Sequence, residues 1–242
     1  MHMGKKYLSI FLSFLVLLFV NLPLQAQKIG ASFNSGTIQL QIKPMLNNQP
    51  LGLGQKVFVP LLNDSVQIDR LRFYLSGMSF SNASDNQENI EQQFFLIDLE
   101  DPTSLRRQLP LKTVSQWDSI HFKIGVDSST QLKGAQGEDL DPMHGMYWSW
   151  RSGYINFKCE GISPVCPGRN NAFVFHIGGF QAPFNTIQSV SLPVYSDTVV
   201  IQIDLAPLFT LSNITQNYEV MSPNAEAMTF SNQFPSLFLS IQ

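Results

Sequence analysis

The sequence predicts an all-β fold, either an antiparallel β-sandwich or a partly closed barrel, with short helical segments near the C-terminus. Apolar and polar residues alternate with period two in segment after segment of the 242-residue chain, as in strands with one buried face. Helical patterns are scarce and lie near the C-terminal end. Nineteen Phe residues and a hydrophobic content of 44% can fill a sizeable core between two sheets.

The first 26 residues have the layout of a secretory signal peptide. Two lysines open the segment, an apolar run continues to Leu24, and Ala26 offers a small residue for cleavage. A retained membrane anchor is the alternative, because the run approaches spanning length, but Pro23 interrupts it. We expect cleavage, a single mature domain over 27–242 in the periplasm or outside the cell, and no transmembrane anchor after processing.

At least eight strands follow one another, with Pro, Gly or Asp at several of their ends. They are predicted over residues 37–43 (ended by Pro44), 66–75, 94–99, 120–126, 146–159, 172–177, 190–194 and 199–205. In the second strand the apolar phase changes at Asp69-Arg70, which predicts a bulge or a corner. The third is a short apolar run, which is typical of a central strand buried on both faces. The aromatic-rich fifth is one strand or a bent pair.

The remaining segments are a long loop and two short helices. Residues 128–145 form a polar, Gly-containing loop that exceeds the usual connection length, so it is the first place to look for a site. Asp204 is positioned to cap a short helix over 206–211. Ser222-Pro223 is positioned to open another through Phe230.

Composition and missing motifs exclude several functions. Only 14% of residues are charged and the net charge is −3, so the basic surface that nucleic-acid binding requires is absent. The sequence contains no Gly-rich phosphate loop, no HExxH helix and no GxSxG elbow. The sequence therefore offers no set of catalytic residues for an extracellular hydrolase, and we expect a protein that is not an enzyme.

Two cysteines, Cys159 and Cys166, flank a short Pro-containing segment. In an exported chain this arrangement favours a disulfide that closes a local loop. A thiolate metal pair is the alternative. The chain-entropy estimate for so short a loop is about 2–3 kcal/mol, so the disulfide would be a local staple.

Three histidines lie beyond the signal segment. His121 stands on the polar phase of its strand and is expected to be an ordinary surface residue. His144 ends the long loop next to Met143 and just before Met146, and imidazole with thioether sulfur suits reduced copper. His176 stands in an apolar strand before two glycines, which allow close backbone approach. Ordinary loop and core roles remain open for these two histidines, because neither spacing alone defines a ligand set.

A set of motifs spread over nearly all of the mature chain resembles the MbnP-like copper-binding family, the periplasmic partner proteins associated with methanobactin. The matching segments are LRFYLS (71–76), FLID (95–98), GVDS (125–128), GAQ (134–136), LDP (140–142), GMYWSW (145–150), SGYINFK (152–158), EG (160–161) and HIGG (176–179). The long block from 125 to 161 is specific.

The resemblance implies an exported β-rich fold that binds copper through histidine. It also implies a di-haem peroxidase-like partner that, in some members, oxidises a tryptophan to kynurenine beside the metal, which makes Trp148 and Trp150 the candidates for modification. His176 matches the family's His-x-Gly-Gly motif. Met221 stands where many relatives carry a histidine and can supply a thioether, whereas His144 replaces an Asn that is common among relatives.

The function implied is an exported copper-binding protein of the bacterial envelope that acquires or stores the ion. Its expected metal ligands are His176, His144, Met146 and Met221. The alternative is a non-metal β-sandwich interaction or structural module whose ancestral metal site has decayed, because the set of histidines is small.

Overall fold

A computed structural model describes residues 36–60, 62–113, 115–148, 152–211 and 214–242. The predicted signal segment 1–26 and Trp150 lie outside the described residues. Within those ranges, no helix is long and apolar enough to cross a membrane.

Strands account for most of the regular structure. They are β1 (Thr37–Leu46), β2 (Gln49–Pro50), β3 (Lys56–Val59), β4 (Asp64–Ser81), β5 (Gln87–Asn89), β6 (Phe94–Asp98), β7 (Arg106–Pro110), β8 (Ser119–Ile124), β9 (Tyr147–Trp148), β10 (Gly153–Ile162), β11 (Ala172–Gly178), β12 (Phe180–Gln181), β13 (Phe184–Asn185), β14 (Gln188–Pro193), β15 (Thr198–Asp204), β16 (Glu219–Val220) and β17 (Phe238–Ile241).

The helices are short. The α-helices are α1 (Ser128–Gln131), α2 (Ala206–Leu211), α3 (Ala225–Ser231) and α4 (Phe234–Leu237), and single 3-10 turns cover Pro102–Leu105, Glu138–Leu140, Pro142–His144 and Arg169–Asn171.

Two sheets enclose the main core. The larger runs in the order β14-β8-β4-β10-β11-β16, with β3, β5 and β6 also on β4 and β9 on β10, and the smaller runs β17-β15-β1-β2 with β7 on β1. The sheets pack through aromatic rings, because Phe238 of β17 lies 6.0 Å from Phe73 of β4 and 5.6 Å from Phe122 of β8, between ring centroids. The predicted all-β class is confirmed. However, β1 pairs with β15, and β11 with β16, in parallel.

The predicted irregularity in the longest strand is confirmed as a bulge. Along the β4–β10 ladder Glu160 faces Arg70, but the next residue, Gly161, faces Ile68, so Asp69 has no partner there. Ile68 therefore points into the core from an even position. Beyond the bulge, Arg70, Arg72 and Tyr74 point to the opposite side, which we call the outer face.

Several boundaries differ from the predictions. β1 continues past Pro44, because the pairing with β7 ends at Gln41 and that with β2 begins at Met45, so the missing N–H falls in a gap of the ladder. The apolar strand β6 pairs with β4 and is not central. Its other side is covered by side chains, since Asp139 accepts a hydrogen bond from the main-chain N–H of Leu96.

Other local predictions are refined. The aromatic segment is the bent pair of the two alternatives, because β9 and β10 form a hairpin. Asp204 caps the turn before α2 by accepting from the Ala206 N–H at 2.9 Å. The cap of α3 is Asn224, which accepts from the Ala227 N–H at 2.7 Å, so Ser222-Pro223 precede the helix and do not open it.

A second, smaller apolar cluster lies on the outer face of the large sheet. Its buried members are Tyr74, Leu96, Val126, Leu140, Met146, Trp148, Tyr154 and Ile155. The long loop over residues 128–145, here called the covering loop, lies over this cluster with its 3-10 turns. Tyr154 holds it by two hydrogen bonds. Its hydroxyl accepts from the Gln136 N–H at 2.9 Å and donates to the Leu140 carbonyl at 3.0 Å. The predicted loop is therefore an ordered cover over one end of the sheet.

Candidate functional site

A row of polar side chains crosses the outer face beside the second cluster. His176 of β11 pairs with Lys158 of β10, Lys158 pairs with Arg72 of β4, and Arg72 pairs with Asp98 of β6. Residues directly opposite each other on neighbouring strands share one face of a sheet, so these four side chains form one line. His176 is 8% and Lys158 is 7% exposed.

His176 is held by a carboxylate. Its Nε2 lies 2.6 Å from Oε1 of Glu160, the next outward residue on β10. The other carboxylate oxygen of Glu160 accepts from Nη1 of Arg70 at 2.8 Å. The hydrogen bond with His176 is the main cause that lowers the pKa of Glu160, against the opposing effect of burial.

The ion pairs continue across β4 to its neighbour. Arg70 and Arg72 both contact Oε2 of Glu100, at 3.1 Å and 2.6 Å, and Arg72 also pairs with Asp98 at 2.8 Å. On this one face of the sheet, the contacts connect His176 on β11 to Asp98 on β6 through a series of alternating charges. This charged end of the outer face is therefore a single network.

Two cations of the network hold the end of the covering loop. Arg72 donates to the main-chain carbonyl of His144 at 2.7 Å, and the ammonium of Lys158 donates to the carbonyl of Gly145. Gly145 has a left-handed φ of 66° and ends the 3-10 turn Pro142–His144, which suits glycine. Burial lowers the pKa of Lys158. These contacts fix the loop end directly above the strand that neighbours His176.

The indole ring of Trp148 packs against β11 at Gly178. A Cβ on Gly178 would lie 2.6 Å from the indole ring of Trp148 and 2.8 Å from the main-chain oxygen of Tyr154. The first glycine of the His-x-Gly-Gly motif therefore gives the indole room to lie on β11. Since His176 and Gly178 are two residues apart on one face, the ring lies about 7 Å along the strand from His176.

Met221 follows the short strand that pairs with β11. The parallel pairing of β11 with β16 matches Val174 to Glu219 and Phe175 to Val220, and Met221 is the next residue after it. The chain stays close beyond that point, because a Cβ on Gly179 would lie 3.1 Å from Pro223. Val220 is buried, whereas Met221 is 42% exposed, which is consistent with a side chain on the outer face.

The other predicted ligands lie elsewhere. The ring Nε2 of His144 lies 3.0 Å from the carbonyl of Glu138, within the covering loop. Met146 is fully buried in the second cluster. Trp150 lies outside the described residues. His121 of β8 lies 2.7 Å from the hydroxyl of Ser81 of β4, on a strand that does not neighbour β11.

The two cysteines are free thiols in the structure, which corrects the predicted disulfide. Cys159 faces Phe175 on β11, whereas the thiol of Cys166 donates to the carbonyl of Ala172, three residues away along that strand. Three residues of strand span about 10 Å, so the two cysteines contact β11 at well-separated points. Burial raises the pKa of both thiols, which also disfavours thiolate ligands.

A cleft of about 510 Å³ opens at the end of β11. Its lining includes Gln131, Tyr147, Phe180 and Pro223, together with the second glycine of the motif, Gly179. Among the described residues, no three or more His, Cys, Asp or Glu side chains come together as a metal site.

Of the predicted set, the structure places His176 on β11, the Trp148 indole against Gly178 two residues further along that strand, and Met221 directly after the strand that pairs with β11. Sequence reasoning missed the side chains that organise them, Glu160 and Lys158. Their signal was visible as charged residues that alternate with apolar ones in β10, but such alternation is typical of any half-exposed strand.

The family model described as MbnP matches residues 35–222. Among solved structures, the chain is similar to MbnP from Methylosinus trichosporium, with a TM-score of 0.57 and 15% identity, over 79% of this chain and 86% of that chain. At this identity the likeness concerns the fold. No curated protein matches the chain.

Proposed function

The chain belongs to the MbnP family, and from that membership we propose that it is an exported copper-binding protein of the bacterial envelope. It acquires or stores the ion in the periplasm or outside the cell and is not an enzyme. His176 is the principal ligand. The observation that carries the proposal is that His176 and the Trp148 indole lie along the outer face of β11, with Met221 directly after the strand that pairs with β11.

The chemistry of these donors fits copper. Imidazole and thioether are ligands of intermediate and soft character, which suit copper in its reduced form better than hard cations. His176 is 8% exposed and Met221 is 42% exposed, so the imidazole is shielded while the thioether borders solvent. Such a site holds an ion that can be delivered and withdrawn. His144 and Met146 contribute through the loop that Arg72 and Lys158 fasten, as supports of the site more than as direct donors.

Copper analysis of the mature protein, loaded in the presence of zinc as competitor, tests the proposal. We expect copper to be retained over zinc, and His176→Ala to lose most of it. His121→Ala is the matched control, because that imidazole contacts Ser81 on a different strand. Unchanged copper stoichiometry and affinity in a folded His176→Ala variant would refute the site.

A second pair of variants tests the thioether. Met221→Ala should weaken the binding of reduced copper. Met143→Ala is the control and should not weaken it: Met143 is more exposed than Met221, at 91%, but lies in the covering loop. Equal effects of the two substitutions would remove Met221 from the ligand set.

The family also supports a di-haem peroxidase-like partner that oxidises Trp148 or Trp150 to kynurenine. Support from the fold is that the Trp148 indole rests on Gly178, two residues from His176. Peptide mass analysis of protein from its native host decides whether either position is modified. Unmodified tryptophan at both would confine the donors to His and Met.

One observation favours the alternative of an interaction or structural module with a decayed metal site. The Nε2 of His176 is already engaged by Glu160, as in an ordinary buried His–carboxylate pair. On this alternative, copper loading of the wild type would match that of His176→Ala, so the same experiment separates the two functions.

A further inference from the structure

We infer that Glu160 is a positioning residue for His176: it keeps the hydrogen on Nε2 and thereby presents Nδ1 as the nitrogen that meets a metal. The inference deepens the proposed function and rests on it for the metal. The tautomer itself is a property of the metal-free protein and is tested separately.

The contact between the two side chains sets the tautomer. Oε1 of Glu160 lies 2.6 Å from Nε2 of His176. An ionised carboxylate only accepts hydrogen bonds, so Nε2 must carry the hydrogen, and in a neutral imidazole the lone pair is then on Nδ1. Among the described residues, none forms a hydrogen bond with Nδ1 of His176. The nitrogen that remains free is therefore Nδ1.

The carboxylate is itself fixed, so the contact is built into the fold. Its second oxygen is taken by Arg70 at 2.8 Å, and Arg70 is in turn held by Glu100 at 3.1 Å. Glu160 also has a fixed place in the ladder, opposite Arg70 on one side and Val174 on the other. Rotation of Glu160 away from His176 would break the ion pair with Arg70 as well.

The arrangement has the chemistry of a carboxylate–histidine–metal triad. In such triads a carboxylate accepts from the ring N–H that does not bind the metal, which orients the imidazole and makes it a better donor. The spacing of 2.6 Å between Nε2 and Oε1 leaves no room for an ion between the two atoms, because each bond from a metal to nitrogen or oxygen takes about 2 Å. An ion at His176 must therefore approach Nδ1.

Nitrogen NMR of the metal-free mature protein, with ¹⁵N-labelled histidine at about pH 8, tests the tautomer. We expect the ring-nitrogen shifts of His176 to report hydrogen on Nε2 in the wild type. Glu160→Ala should give a mixture of both tautomers, and Glu160→Gln, whose amide oxygen can still accept, should keep more of the Nε2–H form. Glu219→Ala is the matched control, since Glu219 is an exposed carboxylate opposite Val174 on the neighbouring strand. A wild type with hydrogen on Nδ1, or a tautomer unchanged in folded Glu160→Ala, would overturn the inference.

Titration with reduced copper completes the test. Glu160→Ala should lower the affinity about 10- to 100-fold, as loss of such outer partners typically does, while Glu219→Ala should match the wild type. If the wild type takes no copper, the proposed function fails, and the NMR result alone decides the role of Glu160. If copper binds Glu160→Ala as tightly as the wild type, or binds the wild type through Nε2, the positioning role is wrong even though the proposed function stands.

Discussion

The outer face of the large sheet carries two neighbouring regions with opposite chemistry on the same strands. At one end, Tyr74 and Tyr154 pack with Trp148 under the covering loop. At the other end, Arg72 pairs with carboxylates, and Arg72 and Lys158 both donate to loop carbonyls. Tyr74 and Arg72 are only two residues apart on β4. The apolar end is closed by burial and the charged end by ion pairs, and His176 and Trp148 lie where the two meet.

This difference predicts where stability and function reside. Burial of large aromatic side chains contributes several kcal/mol at each position, whereas partly exposed ion pairs contribute about 1 kcal/mol or less. We therefore expect substitutions at the apolar end to change mainly the free energy of unfolding. At the charged end, they should change mainly the properties of His176.

The largest effect is expected from Tyr154→Ala. This fully buried ring packs against Tyr74 and Tyr147, with centroids 5.9 Å and 4.8 Å away, and its hydroxyl holds the loop. Its loss should lower the free energy of unfolding by about 3–5 kcal/mol, measured by denaturant titration. Tyr195→Ala is the control, because Tyr195 is 40% exposed, and should change it by no more than about 0.5 kcal/mol. Equal effects would erase the distinction between the regions.

Gly178→Ala tests the boundary between the two ends. The new methyl group would collide with the Trp148 indole and with main-chain atoms of Tyr154. Overpacking of this kind should cost about 1–3 kcal/mol and shift the fluorescence of the displaced indole. Gly137→Ala provides the control, since a Cβ there meets nothing within 4 Å. If Gly178→Ala melts and fluoresces like the wild type, the indole does not rest on β11.

Lys158→Met should have the smallest effect on stability, within about 1 kcal/mol near pH 7, because the lost hydrogen bond to Gly145 is offset by removal of a buried cation. Its pH dependence is the sharper test. Burial lowers the pKa of Lys158 in the folded protein, so the unfolded chain binds this proton more tightly. Wild-type stability should therefore rise relative to the variant as pH increases through the folded pKa toward 10.5, the ordinary value for lysine. A difference that stays constant over that window would contradict it.

Much of the sheet was predictable because its signals are local. The alternating apolar residues located the main strands, and the phase change at Asp69-Arg70 located the bulge. The predictions that were wrong depend on which strands pair with each other. Pro44 is tolerated in β1 because it lies between the pairings with β7 and β2. The two cysteines contact β11 at separate points, which their spacing in the sequence does not reveal.

The candidate site was only partly predictable for the same reason. His176 was found from its motif. The position of Met221 depends on the parallel pairing of β11 with the two-residue strand β16, which Met221 follows directly. So short a strand leaves no periodic pattern. The contact of Arg72 with the His144 carbonyl joins residues 72 positions apart, and no local sequence pattern in either segment predicts it.

The bulge at Asp69 also determines which genetic changes this strand can survive. Val66 and Ile68 face the core from even positions, and Arg70 and Arg72 face outward from even positions only because one extra residue stands between the two sets. Deletion of Asp69 would place Arg70 directly after Ile68, so regular alternation would keep both arginines on the outer face and only the bulge would be lost. Over evolutionary time this strand can therefore lose the codon for Asp69 and keep its arginines outward, whereas loss of the codon for the paired residue Leu71 would turn Arg72 toward the core.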